Sequence, residues 1–418
     1  MKRITASVIT IGDELLIGQV IDTNSAWMAV ELIKIGIWLR RTVSVGDVKN
    51  DILNVLDEEG KNSDIILITG GLGPTADDIT KPVLCEYFGG KLVTDEATLQ
   101  HIEHLFKQVF HRSGPLLERN RKQAEVPDVC TVLKNETGTA PGMWFEKNDK
   151  IYVSLPGVPH EMKGIMTNRV LPQLLRRFKV PKIGHRTLLT IGIGESNLAE
   201  LIQPVETNLP ENIKLAYLPN NTMVRLRLTG FGEEETVEKD LDAYFSDLQQ
   251  LTAPYLVATE DITIADCVGK LLKENGYTVS TAESCTGGYI AHLLTKKAGS
   301  SAYFSGSVVS YANSIKENVL HVASETLLQE GAVSEETVIQ MAENCRKLMG
   351  TDFSIAVSGI MGPDGGSAEK PVGTVWIAVC GKKGLETKKL NLRYDRERNI
   401  EITAVNALNL LRLFILKQ

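Results

Sequence analysis

An alternation runs along this chain: a short β-branched run, then a stretch with apolar residues at helical spacing, repeated. In the first 165 residues "ASVITIG" (6–12), "IWLRRTVSV" (37–45) and "DIILITGG" (64–71) read as strands. "NSAWMAVELIKIG" (24–36) and "NDILNVLDEEG" (50–60) read as helices closed by glycine. Strands joined through helices build a parallel sheet with helices packed on it, and such sheets take ligands at the carboxyl ends of their strands. The loops that leave the strands are therefore where chemistry is to be sought.

The alternation is interrupted once. Residues 183–258 read strand, helix, strand, strand, helix, strand, a small α+β module carried by "RTLLTIGIG", "ESNLAELIQPVETN", "IKLAYLP", "TMVRLRLTG" and "ETVEKDLDAYFSDLQQL". From about 262 the α/β rhythm resumes: helix "TIADCVGKLLKENG", strand "YTVSTAES", a glycine turn, helix "GGYIAHLLTKKAG". Further strands follow at "DFSIAVSGI" and "GTVWIAVCG", and a C-terminal helix starts near 397. The expected organisation is two α/β end domains, 1–170 and 260–418, joined by an α+β module at 171–259, which suits a chain of 418 residues.

Composition narrows the partners. A net charge of −7 argues against a surface that neutralises a nucleic-acid backbone. No stretch reaches about 18 uninterrupted apolar residues, so no membrane span is expected. The six cysteines are scattered, without a CxxC pair or histidine clustering, which fits a reducing cytoplasm better than a disulfide framework or a zinc site.

Three N-terminal loops leave strand ends. "ITGGLGPTADDITK" (68–81) turns through Gly70, Gly71 and Gly73 and opens a helix near Thr75, exposing amides that suit a phosphate. Asp77 and Asp78 then offer hard oxygen ligands to a magnesium ion bridging phosphates. The same pattern also describes a plain glycine turn with acidic residues against the helix dipole. "IGDELLIGQVIDTNS" (11–25) adds Asp13, Glu14, Asp22 and Asn24 at the same sheet edge, and "LPGVPHEMKG" (155–164) adds Glu161. His101 and His104 sit three apart on a helix without a third ligand and read as surface or packing residues. "GIGES" (192–196) lacks the third glycine of a dinucleotide fingerprint.

The C-terminal third holds "AESCTGG" (282–288), "AGSSAYFSGSVVSYANSIK" (298–316) and "SGIMGPDGGSAEKPVGT" (358–374). The first leaves open whether Cys285 or Ser284 is a nucleophile, or whether both shape a loop. No histidine lies in these motifs, so a serine nucleophile would need a lysine kept neutral by burial, and Lys316 is the candidate, with Tyr311 able to relay a proton. Spacing alone favours the plainer reading, with Lys316 a solvated helix residue and Tyr311 at a core edge.

Taken in order, "GDELLIG", "IDTNS", "TGGLGPTADD", "LPGVPHEM", "AESCTGG", "SGIMGPDGG" and "KPVGTVW" resemble the competence/damage-inducible protein CinA family over essentially the whole chain. The resemblance implies an N-terminal domain with a molybdopterin-binding-like fold and metal-dependent ADP-ribose pyrophosphatase activity. Asp13, Asp77 and Asp78 would hold a divalent ion, with Gly70, Gly71, Gly73, Thr75 and Asn24 on the substrate side. It implies a KH-like middle module, here without the GxxG loop that clamps RNA. It implies a C-terminal nicotinamide mononucleotide deamidase that needs no cofactor. There Ser301 would be the nucleophile, activated by Tyr311 and Lys316. Ser284, Thr286, Gly287, Gly288, Ser358, Gly359 and Arg396 would line the substrate site, with amides of the 286–288 turn meeting phosphate and Cys285 a buried small residue. Ile400 stands where relatives often carry a further arginine. The implied partners are small nucleotides, nicotinamide mononucleotide and ADP-ribose, with no membrane, and the implied assembly is a homodimer. A non-catalytic pterin-binding or competence-associated interaction protein is the alternative.

Overall fold

A computed structural model describes residues 3–75, 78–109 and 116–418. The chain divides into two compact units, Met1–Gly184 with Gly230–Glu238, and His185–Thr229 with Lys239–Gln418.

In the first unit, β1 (Thr5–Ile11), β2 (Trp38–Val45) and β3 (Ile65–Thr69) pair in parallel. Helices α1 (Thr23–Lys34) and α2 (Lys49–Asn62) make the crossovers. Beyond β3 the sequence reading did not foresee the order. A short separate pair, β4 (Leu92–Thr94) and β5 (Glu125–Pro127), intervenes. Then β6 (Thr131–Leu133), β7 (Gly142–Lys147) and β8 (Lys150–Leu155) complete a sheet of order β2-β1-β3-β8-β7-β6. β8 runs parallel to β3, while β7 and β6 turn antiparallel. Ile65 to Ile68 of β3 are fully buried, each contributing about 1.5–3 kcal/mol. They alternate between two cores, one under α1 and one under α2. Gly60 does not close α2; it lies inside it, where a Cβ would sit 2.2 Å from the Tyr152 hydroxyl. The loop after β3 leads into α3 (Thr80–Phe88).

The middle segment forms the expected βαββαβ module: β9 (Lys182–Ile191), α4 (Glu195–Glu206), β10 (Ile213–Asn220), β11 (Met223–Gly232), α5 (Glu234–Thr252) and β12 (Leu256–Ala258), in sheet order β10-β11-β9-β12.

The C-terminal region begins with α6 (Ile264–Glu274), opened by a capping box in which Thr263 and Asp266 exchange hydrogen bonds. Its sheet has order β14-β13-β15-β16-β17. β13 (Val279–Glu283) lies between parallel neighbours β14 (Phe304–Val309) and β15 (Phe353–Gly359). β16 (Thr374–Gly381) and β17 (Gly384–Asn391) are antiparallel. Between them come α7 (Tyr289–Thr295), α8 (Asn313–Asn318) and α9 (Glu335–Met349), and α10 (Arg396–Leu416) ends the chain. Ala282, Ala356 and Ala378 face one another across three strands, and this row of small side chains lets α9 pack closely on one face through Val338, Met341 and Ala342. The other face packs on α6 and α10. Among the described residues α10 is the one helix long and apolar enough to cross a membrane, yet it is mostly buried in this core.

Candidate functional site

β13 is buried at all five positions, so its ladder is held from both sides and its end is fixed in space. Ser284 continues it, its N–H donating to Val357 O at 3.0 Å. The chain then turns through Gly287 and Gly288, both at positive φ (60° and 97°), a conformation only glycine adopts cheaply, and enters α7. Gly287 N–H donates back to Ser284 O at 3.2 Å, so it is committed to the turn.

Onto this turn α8 places Lys316. Its side chain is 1% exposed, although the residue sits on a helix of only six residues. Nζ donates to Ser284 Oγ at 3.1 Å, Ser310 O at 2.8 Å and Tyr311 O at 3.4 Å. Burial without a carboxylate among these partners pulls the ammonium below its ordinary lysine range. That shift favours the neutral amine, whose lone pair can accept a proton from the hydroxyl beside it. Cys285, next along, is 6% exposed, and burial pushes its thiol up to about 12, which answers the question left open above: it stays a thiol.

Ser358 stands beside Ser284, since Glu283 pairs with Val357 across the sheet; its hydroxyl donates to Ala332 O at 2.6 Å. Gly359 leaves no room for a side chain, a Cβ there lying 2.7 Å from Val375. Arg396, at the start of α10, donates to Gly362 O and to the Tyr311 hydroxyl, both at 2.8 Å. Tyr311 is 60% exposed, so its hydroxyl serves the rim of the site and not a buried relay to Lys316. Asn399, fully buried, ties the glycine-rich loop to α10 through Met361 O at 3.1 Å and Tyr394 O at 2.8 Å.

Ser301 is elsewhere. It lies exposed in the single turn Ser300–Ala302 that precedes β14. β14 runs parallel to β13 with Phe304 opposite Val279, so Ser301 is at the amino end of these strands and Ser284 at the carboxyl end. Five residues of strand separate the two ends by roughly 17 Å. The expected Ser301–Lys316 pair is thus replaced by Ser284–Lys316. A second correction concerns the turn into α7. The Gly288 amide, and those of Ile290 and Ala291, donate to the Glu283 carboxylate, as does the Thr286 hydroxyl, so they are not open to a phosphate. Glu283 escaped the sequence reading because a lone carboxylate at a strand end carries no pattern.

In the first unit Gly70 and Gly71 turn at positive φ against Ile11 O and Thr80 Oγ1, where a Cβ would lie within 2.0 and 2.1 Å. Asn24 is buried and donates to Thr69 Oγ1 at 3.3 Å and Gly157 O at 2.8 Å, while its Oδ1 is buried with no partner among the described residues. The amides of Gly73 and Thr75 donate at 2.8 and 2.9 Å to Asp78, so the loop's own carboxylate occupies the place foreseen for phosphate and metal. Asp13 exchanges hydrogen bonds at 3.3 Å with Asp47, a residue the sequence reading passed over. Asp77 lies outside the described residues. Among the described residues, which leave out Asp77, no three histidine, cysteine or carboxylate side chains gather to hold a metal ion. Glu161 accepts from Asn135 at 2.6 Å and braces the 135–142 loop; Asn135, 3% exposed, was also not foreseen.

Comparison with known proteins follows the same division. Residues 7–176 match the family described as "Probable molybdopterin binding domain", residues 185–256 the "Damage-inducible protein CinA KH domain" and residues 261–415 the "CinA C-terminal domain". A CinA-like protein of Cytophaga hutchinsonii is 50% identical over 411 residues, 98% of each chain. Another, of Chloroherpeton thalassium, is 42% identical over 97% of this chain and 98% of the relative. The crystal structure of competence/damage inducible protein CihA from Agrobacterium tumefaciens is 38% identical, covers 38% of this chain and all of its own, and has a TM-score of 0.35. With full-length relatives at this identity and all three of its regions matched in order, the chain belongs to the CinA family.

Proposed function

We propose that the C-terminal domain is a serine amidohydrolase acting on nicotinamide mononucleotide through a Ser284–Lys316 pair. The observation that carries this is the buried Lys316 amine 3.1 Å from Ser284 Oγ, with the carbonyl oxygens of Ser310 and Tyr311 as its other partners among the described residues. The substrate class comes from the family resemblance of the motifs around the pair, and from Arg396, a cation at the rim suited to a 5′-phosphate.

An amide carbonyl is a weak electrophile, so the attacking oxygen must lose its proton as it bonds. Neutral Lys316 takes the proton from Ser284 Oγ while Oγ bonds to the carboxamide carbon. The C–N bond then breaks, and Lys316 returns the proton to the leaving ammonia. Water loses its proton to the same amine as it attacks the acyl-serine; Lys316 then passes that proton to the departing Ser284 Oγ, and nicotinate mononucleotide leaves. Burial does the tuning: the amine is kept from water, not from its reaction partner.

The test is ammonia release from nicotinamide mononucleotide by the full-length protein. Ser284→Ala and Lys316→Ala should each lose turnover by orders of magnitude, with the double variant scarcely worse, because residues acting as one unit are not additive. Turnover that survives Ser284→Ala refutes the assignment.

For the N-terminal domain the unpartnered Oδ1 of Asn24 supports a ligand that offers it a hydrogen-bond donor, as a pterin, an adenine or a ribose hydroxyl does. Titration of ADP-ribose into wild type and Asn24→Leu tests it; equal binding removes Asn24. Metal-dependent hydrolysis in this domain would rest on Asp13, Asp77 and Asp78, the carboxylates that the family resemblance implies.

A further inference from the structure

β13 ends on a carboxylate that solvent does not reach: Glu283 is fully buried. Burying a carboxylate without partners costs several kcal/mol. Here five donors converge on it. One oxygen accepts from Thr281 Oγ1 at 3.1 Å and Ala291 N at 2.8 Å. The other accepts from Thr286 Oγ1 at 2.7 Å, Gly288 N at 3.1 Å and Ile290 N at 3.0 Å. These donors lie on both sides of Ser284, in the strand before it and in the turn and helix after it. The carboxylate therefore closes residues 281–291 into one braced loop with Ser284 inside it. Lys316 reaches Ser284 from a different element and is not among the five donors, so its distance to Oγ depends on where that loop sits.

We infer that Glu283 is a positioning residue, which by gathering these five donors fixes the Ser284–Thr286 turn and keeps Ser284 Oγ within hydrogen-bond reach of Lys316. This rests on the Ser284–Lys316 reading given above. The carboxylate's role is acceptor-only: each oxygen takes at least two donors. A glutamine in its place keeps the volume but offers one acceptor oxygen, and turns its NH₂ toward groups that are themselves donors. An alanine vacates the centre, which a small carboxylate such as formate can refill.

The experiment compares full-length wild type, Glu283→Ala and Glu283→Gln below their melting temperatures, with two readouts. One is ammonia release from nicotinamide mononucleotide. The other is the rate at which a fluorophosphonate labels Ser284, followed by mass spectrometry, which assumes nothing about the substrate. Both variants should lose about 100-fold in kcat, the cost of an ångström-scale misplacement, with KM little changed, and labelling should slow in parallel. Formate should recover part of both rates in Glu283→Ala and leave wild type unaffected, which a general loss of structure would not show. Where Glu283→Ala fails to fold, Glu283→Gln carries the same comparison. Near-wild-type labelling and kcat in a folded variant overturn the inference. Wild type that labels at Ser284 but releases no ammonia removes the substrate assignment and leaves the labelling comparison to decide on Glu283. Wild type that does neither removes both.

Discussion

Replacing Lys316 by methionine deletes the amine and keeps an unbranched side chain in a place that is 1% exposed. The loss orphans acceptors: Ser310 O at 2.8 Å is the strongest, with Ser284 Oγ at 3.1 Å and Tyr311 O at 3.4 Å weaker. An unsatisfied buried acceptor costs about 1–3 kcal/mol. Against this, wild type desolvates an amine with no carboxylate among these partners, and the variant is relieved of that cost. The two effects oppose, so the net change in stability should stay within about 3 kcal/mol, less than the usual 5–15 kcal/mol of a domain. Activity has no such offset. A positioned base contributes about 10²–10⁴-fold, roughly 3–5 kcal/mol of barrier, and kcat should fall by at least that factor. The pH dependence has a definite sign. Burial lowers the folded-state pKa of Lys316, so the folded protein binds this proton less tightly than the unfolded chain. Below the folded pKa the burial cost is fully felt. It is relieved as pH rises from there toward the unfolded value of about 10.4, so wild type gains on Lys316→Met over that window. Wild-type kcat should likewise rise through the folded pKa as the amine becomes neutral. Chemical melts and ammonia release across pH measure both. A folded Lys316→Met protein that keeps more than about a tenth of wild-type kcat would refute the assignment of the base.

Ser301→Ala should leave ammonia release near wild type, because Ser301 lies at the other end of the sheet, and Cys285→Ala should do the same because its thiol is buried and protonated. Arg396→Ala should raise KM roughly 10- to 100-fold with little change in kcat, the worth of a charge-assisted hydrogen bond of about 1.5–3 kcal/mol, as read by steady-state kinetics. Gly71→Ala puts a Cβ 2.1 Å from Thr80 Oγ1 at a φ of 63°, and should lower stability of the full chain by about 1–3 kcal/mol in a denaturant melt. Unchanged stability there would mean that the Gly70–Gly71 turn is looser than described.

What the sequence made legible was local. The β-branched runs, the glycine turns at Gly70, Gly71, Gly287 and Gly288, and the βαββαβ order of the middle module follow from periodicity and from backbone conformations few other residues adopt. What it hid was long-range. β17 was not foreseen because an edge strand reading "GLETKKLN" is mostly polar and unburied. The expected Ser301–Lys316 pairing is undone by register: two serines 17 positions apart look equivalent along the chain, and the parallel pairing of β13 with β14 sends them to opposite ends. Lys316 could not be told from a solvated helix residue, because its burial is made by neighbours distant in sequence. Asp78 and Glu283 show the same gap from the other side. A carboxylate next to a glycine turn can bind a ligand or brace the turn, and both here brace it.

In the proposed reaction Ser284 is the residue that becomes acylated. Rapid acid quenching of wild type during turnover of nicotinamide mononucleotide, followed by tryptic mapping, tests it directly. Ser284 lies on the peptide 274–296 and Ser301 on the peptide 298–316. An adduct equal to the substrate less ammonia is expected on 274–296, placed by fragmentation on Ser284 and not on Cys285, decaying with time and absent from Ser284→Ala. An adduct on 298–316, or on Cys285, would contradict it.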